Sequence, residues 1–373
     1  MTSSIKVAML SKACVVGAYH GKLEQIASHD DIELTVIVPP RWRDERGVMS
    51  LERTHTRGYR LLVEPILFNG SYHFHFYPWL RRCLTALQPA VLHIDEEPYN
   101  VATWHALRLA QRQGTRTVFF SWQNIKRRYP WPFNAIESYV LRQTDAAIFG
   151  SAGAQAVWRE KGYRGREAVI PQFGIDPDLF PMRTEDTVRD RGFSVGFVGR
   201  LVREKGVDVL LRALADLPKE VHLTVIGAGP ERAALGHLAQ RLEISERVVF
   251  EPWLSSTEIP ERLRRFDALV LPSRTTPYWK EQFGRVLVEA MASGVPVIGA
   301  NCGEIPSVIG TAGLLFPEGD SDALGAALLR LLEDSALCQR VAQNGRALVL
   351  ANFTHAQVAA KTVRVYRQMA GVA

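Results

Sequence analysis

Short apolar runs alternate with longer amphipathic stretches along the first half of the chain. The runs are rich in β-branched residues and span 5–10, 34–38, 91–94, 117–120 and 146–149. Helical periodicity lies between them, as in residues 101–112. Buried strands that alternate with helices are typical of parallel βαβ units. This half therefore predicts an α/β domain with a parallel sheet.

The same alternation starts again in the second half. Its strand candidates span 194–198, 222–226, 247–250, 268–271, 295–298 and 313–316. The two patterns join near residues 171–192. We therefore predict two doubly wound, Rossmann-like domains, residues 1–175 and 176–373, with the last helix a candidate for packing back on the first domain. Ligands of such sheets bind beyond the carboxyl ends of the strands, so a cleft between two facing domains is the expected site.

The composition is that of a soluble globular protein, since 47% of the 373 residues are hydrophobic and 23% are charged. No apolar run approaches the roughly 20 residues that cross a bilayer. The first residues lead straight into a strand candidate, without a secretory signal, so we expect a cytoplasmic protein. Cys14, Cys83, Cys302 and Cys338 form no C-x-x-C pair. This scatter predicts buried thiols rather than a zinc site or a disulfide framework.

The formal net charge of +6 comes from the first half of the chain. Residues 1–175 contain 22 Lys and Arg against 15 Asp and Glu, whereas the remainder contains 23 against 24. Such an excess attracts nucleic acid, an anionic membrane or an anionic acceptor, and it equally suits a solvated surface. Residues 41–43, 79–82 and 126–131 mix cations with aromatic side chains. That mixture favours peripheral contact with an anionic inner membrane face, with exposed loop tips as the alternative.

Two glutamates eight positions apart, Glu281 and Glu289, lie in an otherwise apolar segment. A helix that begins at Phe283 or Gly284 would place Glu281 just before its N-terminus and Glu289 about 12 Å further along. The N-terminal amides of a helix attract an anion such as a pyrophosphate, and a glycine lets the backbone approach it closely. The simpler alternative is a helix-start acid and a solvated helix face.

Two cations, Arg200 and Lys205, follow the strand that ends near Gly199. Arginine binds a diphosphate through its fork and lysine binds it as a point charge. Taken alone, each of them is as consistent with an ordinary surface cation.

Together these segments resemble the C-terminal domain of the family 4 glycosyltransferases, which have the GT-B fold. The resemblance depends on ordered motifs spread over roughly 120 residues: Gly199-Arg200 with Glu204-Lys205-Gly206, Ile226-Gly227-Ala228-Gly229-Pro230, Leu271-Pro272-Ser273, Glu281-x7-Glu289-Ala290-Met291-Ala292, Gly294-Val295-Pro296-Val297 and Gly313-Leu314-Leu315-Phe316. The first half agrees in architecture but matches less closely.

The resemblance implies a retaining, metal-independent enzyme without a bound cofactor that takes a UDP- or GDP-linked sugar. It implies that Arg200 and Lys205 hold the diphosphate and that Glu289 binds the ribose. Glu281, with amides near the start of the helix, would hold the transferred sugar. The expected donor set is Gly17, Gly199, Arg200, Lys205, Gly227, Trp253, Glu281, Phe283, Gly284, Arg285, Val286 and Glu289. For Trp253 a contact with the nucleobase and a packed core position are both open.

The acceptor side is expected in the first half, at His93-Ile94-Asp95-Glu96-Glu97. The family often has His-x-His there, so Asp95 stands where the second histidine would be. His93, Asp95 and Glu96 are the acceptor-side candidates, and Asp95 joins Arg200, Lys205 and Glu281 as a catalytic candidate. A helix-capping role for the acids is the alternative. Two further departures are the single glycine, Gly17, where a pair is common, and Ser307 in place of glutamate.

Two patterns imitate other sites. Gly227-x-Gly229-x-x-Arg232, with Glu251 downstream, resembles a dinucleotide fingerprint but lacks its third glycine and follows the second strand of its domain. Asp176-Pro177-Asp178 imitates an acidic metal motif, yet Asp-Pro is typical of a turn, and we predict no metal there.

These features predict a retaining glycosyltransferase that transfers a sugar to an unknown acceptor hydroxyl, with no nucleic-acid partner. An epimerase or hydrolase of nucleotide sugars on the same fold is the first alternative. A catalytically idle binding protein that docks on membrane or nucleic acid is the second.

Overall fold

The computed structural model describes residues 4–44, 47–184 and 192–372, and they form two compact units. Unit 1 consists of Met1–Gly174 and His355–Ala373, and unit 2 of Ile175–Thr354. The division lies one residue before the expected boundary, and the last helix belongs with unit 1. Residues 185–191 of the expected join lie outside the described residues.

Unit 1 is built on a seven-stranded parallel sheet in the order β5-β2-β1-β6-β7-β8-β9. Its strands are β1 Ile5–Leu10, β2 Ile32–Val38, β5 Arg60–Val63, β6 Val91–Ile94, β7 Arg116–Ser121, β8 Ala146–Phe149 and β9 Arg166–Val169, and a separate antiparallel hairpin consists of β3 Arg41–Asp44 and β4 Gly47–Ser50. Its helices are α1 His20–Ala27, α2 Leu80–Leu87, α3 Val101–Gln111, α4 Phe133–Gln143, α5 Ala152–Glu160 and α13 His355–Ala370.

Alternation along the strands divides the core of unit 1 into two layers. In β1, Val7 and Met9 pack on one face with α1 and α13, whereas Ala8 and Leu10 pack on the other with α2 to α5. Successive strand residues point to opposite faces, so a strand covered on both sides must be apolar throughout. This is why β1, apart from the exposed Lys6, and β6, apart from the buried His93, are apolar rather than alternating.

Unit 2 has a six-stranded parallel sheet in the order β12-β11-β10-β13-β14-β15. The strands are β10 Phe193–Val198, β11 Val221–Ile226, β12 Val248–Glu251, β13 Ala268–Leu271, β14 Val297–Ala300 and β15 Leu314–Phe316. The helices are α6 Val207–Ala215, α7 Arg232–Arg241, α8 Ile259–Leu263, α9 Arg285–Ala292, α10 Ile305–Ile309, α11 Ser321–Glu333 and α12 Ser335–Asn352.

Each sheet has one point at which the strand order reverses. In unit 1 the chain builds outward from β1 to β2 and then returns to place β6 on the other side of β1. In unit 2 the same reversal separates β10 from β13. Open parallel sheets bind ligands at this point, beyond the carboxyl ends of the two central strands. The residues that follow β1, β6, β10 and β13 therefore lie where a ligand would bind.

Three cysteines are buried as predicted, whereas Cys338 is only half-buried on α12, and all four are free thiols. No helix among the described residues has the length and apolar character that crossing a membrane would require.

Candidate functional site

In unit 2, a lysine and a glutamate meet at the reversal point. Lys205 ends a 3-10 turn, Arg203–Lys205, in the loop after β10, and Glu281 lies in the loop after β13. The Lys205 Nζ lies 2.6 Å from Oε2 of Glu281, and the buried Ser273 donates its hydroxyl to the same oxygen at 3.0 Å. The two charged side chains are 19% and 9% exposed. The structure therefore joins two of the predicted catalytic residues in one partly desolvated ion pair.

An aromatic ring completes this group. The Lys205 ammonium lies 5.0 Å from the ring centroid of Trp279, a distance at which a cation is attracted to an aromatic face. The loop that carries Trp279 is itself tied down, since Thr275 donates its amide and its hydroxyl to Glu318 at 2.6 and 2.7 Å. Lys205 thus contacts both the Glu281 carboxylate and the Trp279 ring, and the loop that carries this ring is itself hydrogen-bonded to Glu318.

Glycines allow the loops around the pair to approach each other closely. Gly206, with φ +66°, lies against the carbonyl of Pro272, and Gly303, with φ +55°, lies against the carbonyl of Glu281. A Cβ at either position would collide with that carbonyl oxygen, and the backbone conformation itself disfavours any other residue. The Glu304 amide also donates to the Glu281 carbonyl at 3.1 Å. The backbone of Glu281 is therefore fixed from the β14 side.

Helix α9 begins at Arg285, immediately after Gly284, whose φ is +74°. Glu289 lies one turn into the helix beyond Arg285, which donates Nε to the Glu289 Oε1 at 2.8 Å. Burial raises the pKa of Glu289, and Arg285 opposes that effect. Val286, in the first turn, is half-buried. Phe283 packs edge-on against Phe353, with centroids 5.6 Å apart.

The remaining donor candidates of unit 2 lie in the loops that follow β10, β11 and β12. Arg200 is exposed in the loop after β10. Gly199 and Gly227 follow β10 and β11, and a Cβ on Gly227 would collide with the Gly199 carbonyl. Trp253 is 60% exposed, two residues beyond the end of β12. The core alternative for Trp253 is therefore wrong, because its ring has not been covered by the sheet.

In unit 1, three consecutive acids after β6 bind three different neighbours. Asp95 accepts hydrogen bonds from the Ser11 hydroxyl, at 2.6 Å, and from Nε2 of Gln172, at 2.9 Å. Ser11 directly follows β1, the strand next to β6. Asp95, which is 3% exposed, thus links the ends of the two central strands.

Glu96 is the acidic centre of a buried polar group. It forms an ion pair with Lys12, and its Oε2 lies 3.4 Å from Nε2 of the buried His75. Burial by itself disfavours the carboxylate, but Lys12 and His75 outweigh it and lower the pKa of Glu96 to about 2. The Lys12 ammonium also lies 5.5 Å from the ring centroid of Trp42. Glu96 is therefore a carboxylate that is committed to its own partners.

The pKa of Glu97 shifts in the opposite direction to that of Glu96. Its carboxylate accepts from the Ser121 hydroxyl at 2.5 Å and from the Trp122 amide at 2.8 Å, both at the end of β7. Burial raises the pKa of Glu97 to about 7, although these two hydrogen bonds act against the rise. Lys12 lowers the pKa of Glu97 as well, but its effect is smaller than that of burial.

Two further candidates of unit 1, His93 and Gly17, are hydrogen-bonded to other residues of the chain. His93 points into the layer beneath α13, is 2% exposed, and has Nδ1 2.6 Å from the Tyr366 hydroxyl. Burial holds the pKa of His93 well below its usual range, so the ring is neutral. The Gly17 amide donates to the carboxylate of Glu52 at 2.6 Å. Both residues are thus held by neighbours within unit 1.

The two look-alike patterns have local explanations. The carboxylate of Glu251 forms an ion pair with Arg262, with one Nε to Oε2 distance of 3.0 Å. Asp176 accepts the Asp178 amide at 3.0 Å, as in a tight turn. Within the described part of the chain, no cluster of three or more His, Cys, Asp or Glu side chains is suited to a metal ion.

Sequence reasoning did not single out Ser11, Lys12, His75 or Trp279. Ser11 and Lys12 had a usable signal, because polar residues directly after the first strand of a doubly wound sheet lie at the reversal point. His75 and Trp279 had none, since each reaches its partner from an irregular segment whose path no periodicity predicts.

The two halves of the chain match two family profiles. The profile described as Glycosyl transferases group 1 matches residues 183–348, and the one described as Glycosyl transferase 4-like domain matches residues 22–172. Together they define a glycosyltransferase chain of the GT-B type, with two Rossmann-like domains.

Relatives of known function agree with this class. A GDP-mannose-dependent alpha-(1-6)-phosphatidylinositol monomannoside mannosyltransferase of Mycolicibacterium smegmatis is 33% identical over 264 residues, which cover 66% of this chain and 68% of the relative. A glycogen synthase of Mycobacterium tuberculosis is 32% identical over 240 residues. That alignment covers 62% of this chain but 56% of the relative, so the chain spans just over half of that protein's length. The chain belongs to the glycosyl transferases group 1 family.

Solved structures share the fold over nearly the whole chain. Sucrose-phosphate synthase from Thermosynechococcus elongatus has a TM-score of 0.71 at 20% identity, over 98% of this chain and 99% of that one. Anabaena HepE in complex with UDP has a TM-score of 0.73 at 19% identity, over 98% and 100%. At such identities the likeness establishes the GT-B fold.

Proposed function

We propose that this protein is a retaining glycosyltransferase that moves a sugar from a nucleotide-diphosphate sugar to an acceptor hydroxyl. The observation that carries the proposal is the group formed by Lys205, Glu281 and Ser273 at the reversal point of the unit 2 sheet. A partly buried cation beside a partly buried carboxylate suits a ligand that has an anionic part next to a hydroxyl-rich part.

In this proposal unit 2 binds the donor. Arg200 and Lys205 neutralise the diphosphate, and the amides at the start of α9, with Gly284, donate hydrogen bonds to its remaining oxygens. Glu289 binds the ribose hydroxyls and Glu281 binds hydroxyls of the transferred sugar. Uridine and guanosine donors both suit this arrangement, since the exposed Trp253 offers a stacking face to either base.

The acceptor belongs to unit 1 in this proposal. Asp95 and Glu96 are buried and already paired, so they act by holding Ser11 and Lys12 at the end of β1. Lys12, whose side chain is 15% exposed, meets the acceptor rather than the acids, and Ser11, which is buried, holds Asp95 in place. Lys12→Met should then raise the KM for the acceptor while leaving donor affinity unchanged.

The reaction that we propose is a front-face displacement. The acceptor oxygen bonds to the anomeric carbon on the side from which the diphosphate leaves, and the leaving oxygen takes the hydroxyl proton. Arg200 and Lys205 stabilise the negative charge that develops on the diphosphate. Lys205→Ala should lower turnover at least about a hundredfold, since a group that meets charge in the transition state contributes on this scale. No metal is assigned a role, so a chelator should leave the rate unchanged.

The donor is tested first by thermal unfolding with UDP, GDP, ADP and their common sugar conjugates. A ligand that binds only the folded protein raises its melting temperature. We expect a shift with one base, followed by sugar transfer only when an acceptor is added. Turnover without an acceptor would instead indicate an epimerase or hydrolase, and no shift with any nucleotide would favour a binding protein without catalysis.

An anionic membrane is the partner that we propose for the basic surface of unit 1. Phe74 and Trp131 are 51% and 80% exposed, and Phe74 lies 5.0 Å from Phe133, two residues beyond Trp131. The neighbouring Arg127 and Arg128 are exposed as well. Aromatic and cationic side chains together suit a lipid interface. Sedimentation with phosphatidylglycerol vesicles should retain the protein at low salt, and the variant Trp131→Ser should reduce binding; equal sedimentation with neutral vesicles would contradict the proposal.

A further inference from the structure

The two residues assigned to opposite ends of the donor are bonded to each other in unit 2. Lys205 is assigned to the diphosphate and Glu281 to the sugar, yet the ammonium and carboxylate are 2.6 Å apart. While the pair stays closed, each charge partly neutralises the other, and Oε2 of Glu281 is already occupied by Lys205 and Ser273. Donor binding that opens the pair exchanges one interaction inside the protein for two interactions with the ligand.

The structure gives this pair a firm geometry. Ser273 donates to the same oxygen, Oε2, that Lys205 contacts. The ring of Trp279 lies on the ammonium, and the Trp279 carbonyl accepts the Thr276 amide at 2.7 Å, which closes the turn that positions the ring. The Glu281 main chain is fixed by contact with Gly303. A partly desolvated pair that is held in this way is costly to open unless both charges find new partners.

A sugar-bearing donor and a bare nucleoside diphosphate differ in the contacts that they offer to Lys205 and Glu281. The donor gives Lys205 its phosphates and gives Glu281 its sugar hydroxyls. The bare diphosphate takes Lys205 but offers Glu281 nothing, and it adds negative charge beside a carboxylate that has lost its cation. Like charges at short distance in a partly buried site repel strongly.

We propose, building on the proposed function, that the Lys205–Glu281 pair is a specificity determinant that favours the sugar-bearing donor over the bare diphosphate. The same pair speeds release of the diphosphate after transfer, because it closes again once the sugar has left. Glu281 thus has a second role beyond holding the sugar: it weakens binding of the product.

The test is calorimetric titration of the full chain with the diphosphate and the sugar diphosphate of whichever nucleotide shifts the melting temperature. Glu281→Gln keeps the shape and a hydrogen-bond acceptor for Ser273 but removes the charge. We expect it to bind the bare diphosphate about tenfold tighter than the native protein, which corresponds to about 1.4 kcal/mol. It should bind the sugar diphosphate no tighter. In the Lys205→Met background the same change should have little effect on the diphosphate.

Glu318→Gln is the matched control, since it removes a carboxylate that binds the same loop through Thr275 without touching the pair. An equal gain in Glu318→Gln would show a general charge effect and overturn the inference. Unchanged or weaker diphosphate binding in Glu281→Gln would overturn the inference as well. The donor proposal would still stand in that case, because the protein would still bind the nucleotide. If Glu281→Gln does not fold, Glu281→Asp, which shortens the reach to Lys205, should give a smaller gain, and no gain would count against the inference. Absence of nucleotide binding in every variant would remove both proposals.

Discussion

Glu96 and Glu97 are adjacent in the chain, but their carboxyl groups have opposite environments. Lys12 and His75 lower the pKa of Glu96 to about 2, whereas burial raises that of Glu97 to about 7. Both values depart from 4.5, the ordinary value, and each shift links unit 1 stability to pH in its own direction.

Glu97→Gln should stabilise unit 1 above pH 7. Folded Glu97 keeps its proton up to about pH 7 while the unfolded chain loses it near pH 4.5, so its contribution is lost as pH rises between these values. The variant cannot ionise, and its gain over the native protein should grow from pH 4.5 to 7 and then stay constant, at no more than about 3 kcal/mol. Urea unfolding, monitored through amide exchange in β6 and β7, measures this gain in unfolding free energy. A gain that does not change with pH would contradict this assignment.

Glu96→Gln should destabilise unit 1 at pH 7. Folded Glu96 stays ionised down to about pH 2, so its stabilising contribution is present above pH 4.5 and is lost as pH falls toward 2. The variant leaves the Lys12 ammonium without its counter-charge, and the free energy of unfolding should fall by about 3 kcal/mol at pH 7. The same urea experiment serves, and a difference that persists at pH 2 would show that packing rather than charge is responsible.

At the scale of single residues, the sequence predicts the identity of site residues better than it predicts their contacts. Lys205 and Glu281 could be chosen from motif order, and the structure brings them together. His93 could not be placed, because its position on β6 does not reveal that its face is covered by α13. The ion pairs of Glu96 and Glu289 also depend on side-chain direction at strand and helix ends, which residue types alone do not determine.

Among the elements, the loop that carries Gly303 gives the sharpest prediction. Gly303→Ala places a Cβ against the Glu281 carbonyl in a backbone conformation with φ +55°, so either the helix α10 or Glu281 must move. We expect a loss of roughly 1–3 kcal/mol in unfolding free energy and weaker nucleotide binding. Urea unfolding and the thermal shift with nucleotide measure the two effects.

Gly319→Ala is the control for that change. Gly319 also has a positive φ, +78°, but a Cβ there meets nothing within 4 Å. It should lose stability only through its backbone strain and should keep nucleotide affinity. Equal loss of affinity in the two variants would show that the contact with Glu281 is not the cause.

The principal strands were predictable because each is buried on both faces and reads as an apolar run. The bounds of β1, β6 and β8 agree with the prediction, and those of β7, β10 and β11 extend it by one residue at one or both ends. The hairpin of β3 and β4 was missed, because it carries Arg41, Arg43 and Asp44 among its short alternating positions. Edge strands β5 and β9 were missed for the same reason, since half-exposed strands lack a continuous apolar signal.

At the scale of the whole molecule, helix α13 determines where unit 1 ends. Its Val358, Val363 and Tyr366 lie in the same buried layer as α1. Removal of residues 355–373 should speed amide exchange in β1, β2 and α1 and leave residues 193–354 protected, because the two units have separate cores. Unchanged exchange in unit 1, or equal exposure of unit 2, would contradict this division.

Arg367→Ala is the milder counterpart of that truncation. Arg367 binds the carboxylate of Asp31 through two nitrogens at 2.7 and 2.8 Å, but both side chains are partly exposed. An ion pair at such a site contributes about 1 kcal/mol or less. The variant should therefore keep the exchange pattern of the native protein, which would assign the effect of the truncation to the buried residues of α13.

The division of unit 1 between the two ends of the chain has a consequence for how the protein is made. On the ribosome, the residues of unit 2 are complete once position 354 has emerged, whereas unit 1 still lacks its last helix. Domains generally fold as units during synthesis. Unit 1 therefore cannot complete its fold until the last residues of the chain are free of the ribosome, and the side chains that α13 will cover stay exposed until then.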